Sequence, residues 1–218
     1  MKEIAIQFFW KIAGIHPFFA RIIAGFGFFR KHSYLNKTGW YRSFQKRVSI
    51  NEKGDPIPWY SYPMIHFLET KALQSLRVFE FGCGNSSLWW SKQAKEVVSC
   101  EHHQGWYEKV VKSLPENATC HLVSEEKYAQ HLLKYTKEFD VIIIDGIQRV
   151  NCALNCLGAL KEDGVVIWDD SHREEYKEGI DYLLNQGFKR LDFVGLGPIV
   201  MIQGATSIFY RSNNVLEI

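Results

Sequence analysis

Short apolar runs alternate with amphipathic stretches along most of this chain. Residues 78–81, 96–100, 118–123, 139–144 and 164–168 read as strands, being rich in Val, Ile, Phe and Cys and bounded by Gly, Pro, Ser or charged residues. The segments between them, 86–94, 106–114, 127–135 and 149–160, carry apolar residues at helical spacing. A further helix is expected over 63–74, with Pro63 in its first turn. Ser171 and Glu174 match the S-x-x-E capping pattern for a helix that ends near Asn185, with Gly187 just beyond. Residues 188–194 and 206–211 read as the last strands. The near-continuous run Val141-Ile142-Ile143-Ile144 suits a parallel strand buried on both faces. Strict β/α alternation therefore predicts an α/β fold, a doubly wound Rossmann-like sheet, mostly parallel.

The first 54 residues break this pattern and read as a separate appendage, 1–54, ahead of a domain over 55–218; Asn51 to Pro56 is a turn-rich boundary. Residues 4–29 are densely apolar, with Phe8, Phe9, Trp10, Phe18, Phe19, Phe26, Phe28 and Phe29 beside Lys11, Arg21, Arg30 and Lys31. Lys11, His16, Pro17 and Arg21 interrupt the run, so neither a signal peptide nor a spanning helix is expected. Two readings stand: an interfacial helical hairpin of residues 1–31 on an anionic membrane, or a helical cover packed on the domain or across a homodimer.

Charge sharpens the division. Residues 1–47 hold nine Lys and Arg against one acid, Glu3, whereas the rest has 17 basic and 23 acidic residues. That imbalance points to an anionic partner for the appendage. The net-acidic domain argues against nucleic acid as that partner. Five cysteines without a C-x-x-C, mostly within apolar runs, suit a reducing cytosol. The expected location is cytoplasmic, at most peripheral on the inner membrane face.

Candidate chemistry collects where predicted strands end, the place where open α/β sheets bind ligands. The first strand runs into Gly82-Cys83-Gly84-Asn85-Ser86, a turn whose glycines let a ligand approach the backbone. Glu80 precedes it among apolar neighbours, and a carboxylate there needs a partner. Glu101, with His102 beside it, ends the next strand about 20 residues on, placed to accept from ribose hydroxyls. A pyrophosphate would be repelled by Glu80, and Ser87 stands where a dinucleotide fingerprint has its third glycine. A phosphate-free cofactor carrying an amine and a sulfonium fits better. Two other classes are weighed against it: an NAD(P)-binding oxidoreductase, and a non-catalytic membrane-associated scaffold.

Glu80-x-Gly82-x-Gly84, Glu101 and Asp140-Val-Ile-Ile-Ile-Asp145-Gly146 together resemble the class I S-adenosylmethionine (SAM)-dependent methyltransferases, over about residues 60–211. The closing strand at 206–211, taken as antiparallel, matches that fold. More narrowly, Gly39-Trp40, the 56–63 segment and the 81–90 segment resemble a bacterial branch with FkbM-like relatives. The resemblance implies SAM as cofactor, with its methionine end at Glu80, Gly82 and Gly84 and the neighbouring Cys83, Asn85 and Ser86. It implies the ribose at Glu101 and His102, the adenine at Ser124 and Glu125, and Asp145 beside the cofactor.

Methyl transfer is an in-line displacement, and a hydroxyl acceptor must also lose its proton. Asp145, Asp169, Asp170 and His172 are the candidate catalytic groups. Asp145, Asp169 and Asp170 also resemble the metal-binding pattern of catechol-type O-methyltransferases, with Asp170 in place of Asn, so a divalent cation is one reading. Arg149 and Arg173 either pair with these acids or read an anionic substrate. The expected acceptor is an oxygen of a small molecule or glycan.

Overall fold

The computed structural model describes residues 2–15 and 17–218, excepting the side chains of residues 2, 3, 9, 10, 12, 13 and 15. His16, Phe9 and Trp10, which figured in the reading of the appendage, thus lie outside the described residues or side chains. The chain begins with helices α1 (Lys2–Ile15), α2 (Pro17–Phe28), α3 (Tyr34–Lys37) and α4 (Trp40–Lys46). It continues through α5 (Tyr62–Glu69), β1 (Arg77–Phe81), α6 (Asn85–Gln93), β2 (Glu96–Glu101) and α7 (Gln104–Val110). Next come β3 (Ala118–Leu122), α8 (Glu125–Tyr128), β4 (Phe139–Ile144), α9 (Arg149–Cys156) and β5 (Leu160–Asp169). Helix α10 (Lys177–Asn185) and strands β6 (Lys189–Gly195) and β7 (Gly204–Tyr210) complete it.

The strands form one sheet in the order β3-β2-β1-β4-β5-β7-β6. The first five are parallel; β7 runs antiparallel to both β5 and β6. Strand order reverses between β1 and β4, so a crevice opens at their carboxyl ends. Period-two alternation sends Phe79, Phe81, Ile142, Ile144 and Trp168 into a core under α9 and α10. Val78, Val141, Ile143 and Ile167 go into the opposite core, with Trp89 and Trp90 of α6. Both tryptophans are therefore core residues.

Several predicted boundaries move. The 63–74 helix ends at Glu69, where Thr70 caps it. The single 127–135 helix is instead α8 followed by a 3-10 turn, His131–Lys134. Ser171 does not cap a helix: β7 pairs with the end of β5, and the Ser171 hydroxyl is held 2.5 Å from Ser207 Oγ and 3.3 Å from the Ala205 carbonyl. Helix α10 therefore starts only at Lys177, after a 3-10 turn at Glu174–Tyr176.

The appendage divides in two. From Thr38 onward the chain packs on the sheet: Trp40, Ser43 and Ile50 are buried, and Trp40 Nε1 donates to the Val200 carbonyl at 2.7 Å. Asn85 Nδ2 donates to the Ser49 carbonyl at 2.6 Å, tying this segment to the glycine turn. Helices α1 and α2 pack on each other as a hairpin, and none of their described side chains is buried. A cover packed on the domain would bury one face, so that reading fails for the described residues.

Candidate active site

The turn after β1 is built by backbone geometry. Gly82 sits at φ +91°, and a Cβ there would come within 3.1 Å of the Asp145 carbonyl, so the position favours glycine. Gly82 N–H donates to the Cys100 carbonyl at 2.9 Å. Glu80, 1% exposed, lies beneath the turn. One carboxylate oxygen accepts from Ser87 Oγ, which in turn accepts from the Gly84 N–H at 3.1 Å. The other oxygen, Oε1, is buried without a protein partner. Burial pushes the Glu80 carboxyl up to about 8, against hydrogen bonds from Ser86 and Ser87 that lower it. Glu80 thus braces the turn from beneath and keeps one buried oxygen without a protein partner.

Beside the turn is a cavity of about 290 Å³ lined by Gly82, Cys83, Ser86, Glu101, His102, Trp106, Tyr128, Asp145, Gly146 and Ile147. Glu101 Oε1 accepts from the His102 and His103 backbone N–H groups, both at 2.8 Å, and lies 3.0 Å from His102 Nδ1. These bonds fix the carboxylate at the strand end. Trp106 Nε1 donates to the Cys83 carbonyl at 2.6 Å, which sets the indole against the turn. A Cβ on Gly146 would collide with the Tyr128 hydroxyl at 1.9 Å, so that glycine lets the ring close the cavity floor. Glu101 and Asp145 are acidic and no Lys or Arg lines this cavity. Such walls suit a cationic, phosphate-free ligand.

Ser124 and Glu125 do not line this cavity. Both are exposed, Ser124 at the start of α8 and Glu125 with its carbonyl accepting from Gln148 Nε2 at 2.9 Å. Trp106, Tyr128 and Ile147 supply the flat apolar walls instead. Their signal in the sequence was only positional, aromatic or branched residues just past the ends of the second, third and fourth strands.

A second cavity of about 190 Å³ continues over the turn, between Arg47, Val48, Ser49, Trp59, Cys83, Gly84, Asn85, Ser86, Trp106, Asp145 and Ile199. A third, of about 430 Å³, is bounded by Trp59, Tyr60, Ser61, Asp145, Arg149, Asp169, Asp170, Arg173 and the 195–206 strand-loop-strand. Asp145 faces all three cavities.

The acids around Asp145 are already paired. Arg149 Nη2 lies 3.0 Å from Asp145 Oδ1, and its Nη1 lies 3.6 Å from Asp170 Oδ2 and donates to the Asp169 carbonyl at 2.5 Å. The guanidinium also stands 5.5 Å over the Tyr176 ring. Arg173 Nη2 pairs with Asp170 Oδ2 at 2.5 Å, and Thr206 Oγ1 donates to Asp169 Oδ1 at 2.6 Å. Burial raises Asp145 to about 7, with Arg149 opposing. Burial, then the neighbouring Asp145 charge, raises Asp169 well above the carboxylate range.

These contacts correct two expectations. The carboxylates do not fit a divalent cation: Arg149 brings its positive charge into their midst, and no metal-ligating cluster exists among the described residues. His172 does not join the site either. It is exposed and does not line the 430 Å³ cavity, and its Nδ1 accepts from the Ala205 N–H at 3.1 Å. The β5–β7 pairing that captures Ser171 pulls His172 outward with it.

Residues 79–171 match the family model of a methyltransferase domain. Among solved structures, precorrin-6y C5,15-methyltransferase from Geobacter metallireducens is similar at 12% identity, over 78% of this chain and 96% of that one, with a TM-score of 0.59. Spermidine synthase from Thermotoga maritima is similar at 16% identity, over 77% and 63%, with a TM-score of 0.54. A Streptococcus mutans structure in complex with S-adenosylhomocysteine (SAH) is similar at 15% identity, over 66% and 94%, with a TM-score of 0.50. No curated protein matches the chain in sequence. The seven-stranded sheet matches a Rossmann-like methyltransferase fold, and residues 79–171 are similar to a methyltransferase domain.

Proposed function

We propose that the protein moves the methyl group of SAM to an oxygen of a small acceptor, with Asp145 taking the acceptor proton. The observation that carries this is the position of Asp145, shared by the cofactor-side cavities and the 430 Å³ cavity. The acidic cavity at Glu101 and Asp145 supports SAM, whose sulfonium and amine are cationic. SAM supplies a methyl group on positively charged sulfur, which leaves as the neutral thioether SAH. In this reading Glu101 and His102 hold the ribose, the Gly82–Ser86 turn holds the methionine portion, and Trp106, Tyr128 and Ile147 flank the adenine. Arg149 sits on Asp145 Oδ1 and favours its ionised form, so Asp145 is the base. Asp169, whose carboxyl is pushed up by burial and by the Asp145 charge, holds the acceptor by hydrogen bonding. A cavity of this size takes a small hydroxylated molecule or the terminal unit of a glycan.

Turnover of methyl-labelled SAM against a panel of small hydroxylated acceptors tests the reading. Asp145→Ala and Asp169→Ala should each abolish transfer while leaving SAH binding within a few-fold of wild type. Full rate in both variants would overturn the assignment.

A further inference from the structure

We propose that the α1–α2 hairpin is a docking surface for an anionic phospholipid bilayer. The two helices are apolar around much of their circumference, yet no described side chain on either is buried. Phe8, Phe18, Phe19, Phe26, Phe28 and Phe29 are all exposed, Phe26 by 72% and Phe29 by 70%. Ile4 and Ile6 extend the same surface at 71% and 54%. An apolar patch of this kind on a folded chain marks a surface that another phase or partner covers.

Charge and length decide which. Lys11 and Arg21 lie on the hairpin and Arg30 and Lys31 follow it, whereas Glu3 is the only acid in the first 47 residues. Two copies of this surface would bring like charges together with only Glu3 as an acidic counterpart, which disfavours self-association. Anionic headgroups supply the missing charge, while the Phe and Ile side chains enter the acyl boundary. The helices have 14 and 12 residues, about 21 and 18 Å at 1.5 Å per residue, against about 30 Å of hydrocarbon. No helix of the described residues is long and apolar enough to cross a membrane. The hairpin therefore lies in the interface plane. Beyond it the chain is fixed to the domain: Phe29 stacks on Tyr41 at 5.6 Å, and Trp40 of α4 holds the Val200 carbonyl on the rim of the acceptor cavity. Docking would thus tether the catalytic body through α3 and α4.

The test is sedimentation of the full chain with vesicles of phosphatidylcholine, alone or with about 30% phosphatidylserine. Wild type should pellet with the anionic vesicles at least ten-fold more strongly than with the neutral ones, and about 0.5 M salt should weaken that binding. Arg21→Glu/Arg30→Glu/Lys31→Glu should lower anionic binding at least 100-fold, at roughly five-fold per basic charge removed and more on reversal. Phe8→Ser/Phe26→Ser/Phe28→Ser should lose binding to both vesicles, with an unchanged thermal midpoint showing that the domain is intact. Wild type left in the supernatant, or equal binding to neutral and anionic vesicles, would overturn the proposal. So would a dimer in sedimentation velocity that the phenylalanine variant dissolves while vesicles fail to bind, since the hairpin would then be a self-association surface.

Discussion

Replacing Arg149 by Gln should raise the pKa of Asp145 by about 1.5 pH units. Arg149 Nη2 is 3.0 Å from Asp145 Oδ1, and their side chains are 13% and 21% exposed. At an effective dielectric of about 20, unit charges at that distance attract by about 5 kcal/mol. Solvent at the cavity rim and the second aspartate pair reduce what the substitution removes to roughly 2 kcal/mol, which corresponds to about 1.5 pH units. Asp145 already sits near 7 because burial outweighs the guanidinium, so the variant should titrate between about 8 and 9. Carboxyl carbon NMR reads this directly, with the Asp145 signal assigned by its absence in Asp145→Asn. The rising limb of the methyl-transfer pH profile should move upward by the same amount, leaving the rate at neutral pH roughly ten-fold lower or more. An Asp145 resonance that titrates at or below its wild-type midpoint in Arg149→Gln would refute the claim that Arg149 keeps this aspartate ionisable.

Other expectations follow from the same contacts. Glu80 has a raised folded-state pKa, so the folded protein binds the extra proton between about 4.5 and 8 and loses stability as pH rises through that window. Glu80→Gln should therefore raise the melting midpoint of the cofactor-free protein at pH 8 and change it little at pH 4.5; a uniform shift at both would contradict the burial argument. Trp106→Phe removes the indole hydrogen bond to Cys83, and calorimetry should show SAH affinity lowered about five- to ten-fold. His172→Ala should leave the turnover number within two-fold of wild type, since the imidazole lies outside the cavity. Chelation by EDTA should leave the rate unchanged because Arg149 supplies the positive charge among the carboxylates; loss of rate restored by added Mg²⁺ would reverse that conclusion.

The sheet was readable because its strands are short, mostly apolar runs followed by glycines and acids. Phe139–Ile144 matches the predicted strand residue for residue, and the ends of β1, β2, β4 and β5 carry the Gly82 turn, Glu101, Asp145 and Asp169 into the cavities. Local patterns misled where tertiary contacts competed with them. Ser171 and His172 look like a helix start, but hydrogen bonds to β7 claim both. Ser124 and Glu125 occupy the expected place after the third strand, yet side chains from α7, α8 and the Gly146–Ile147 turn close the cavity before they reach it. The three aspartates looked like a metal site because spacing does not show that Arg149, four residues after Asp145, turns back over them. The segment after Thr38 belongs with the catalytic body for a similar reason: Trp40 and Asn85 make bonds that a basic, aromatic composition does not reveal.

SAM should lie against Glu101 and the Gly82 turn. Isothermal titration with SAH and, separately, with NADH tests it most directly. SAH should bind at one site with micromolar affinity, NADH should give no heat, and Glu101→Ala should bind SAH at least ten-fold more weakly. Binding of NADH in preference to SAH, or SAH affinity indifferent to Glu101, would contradict it.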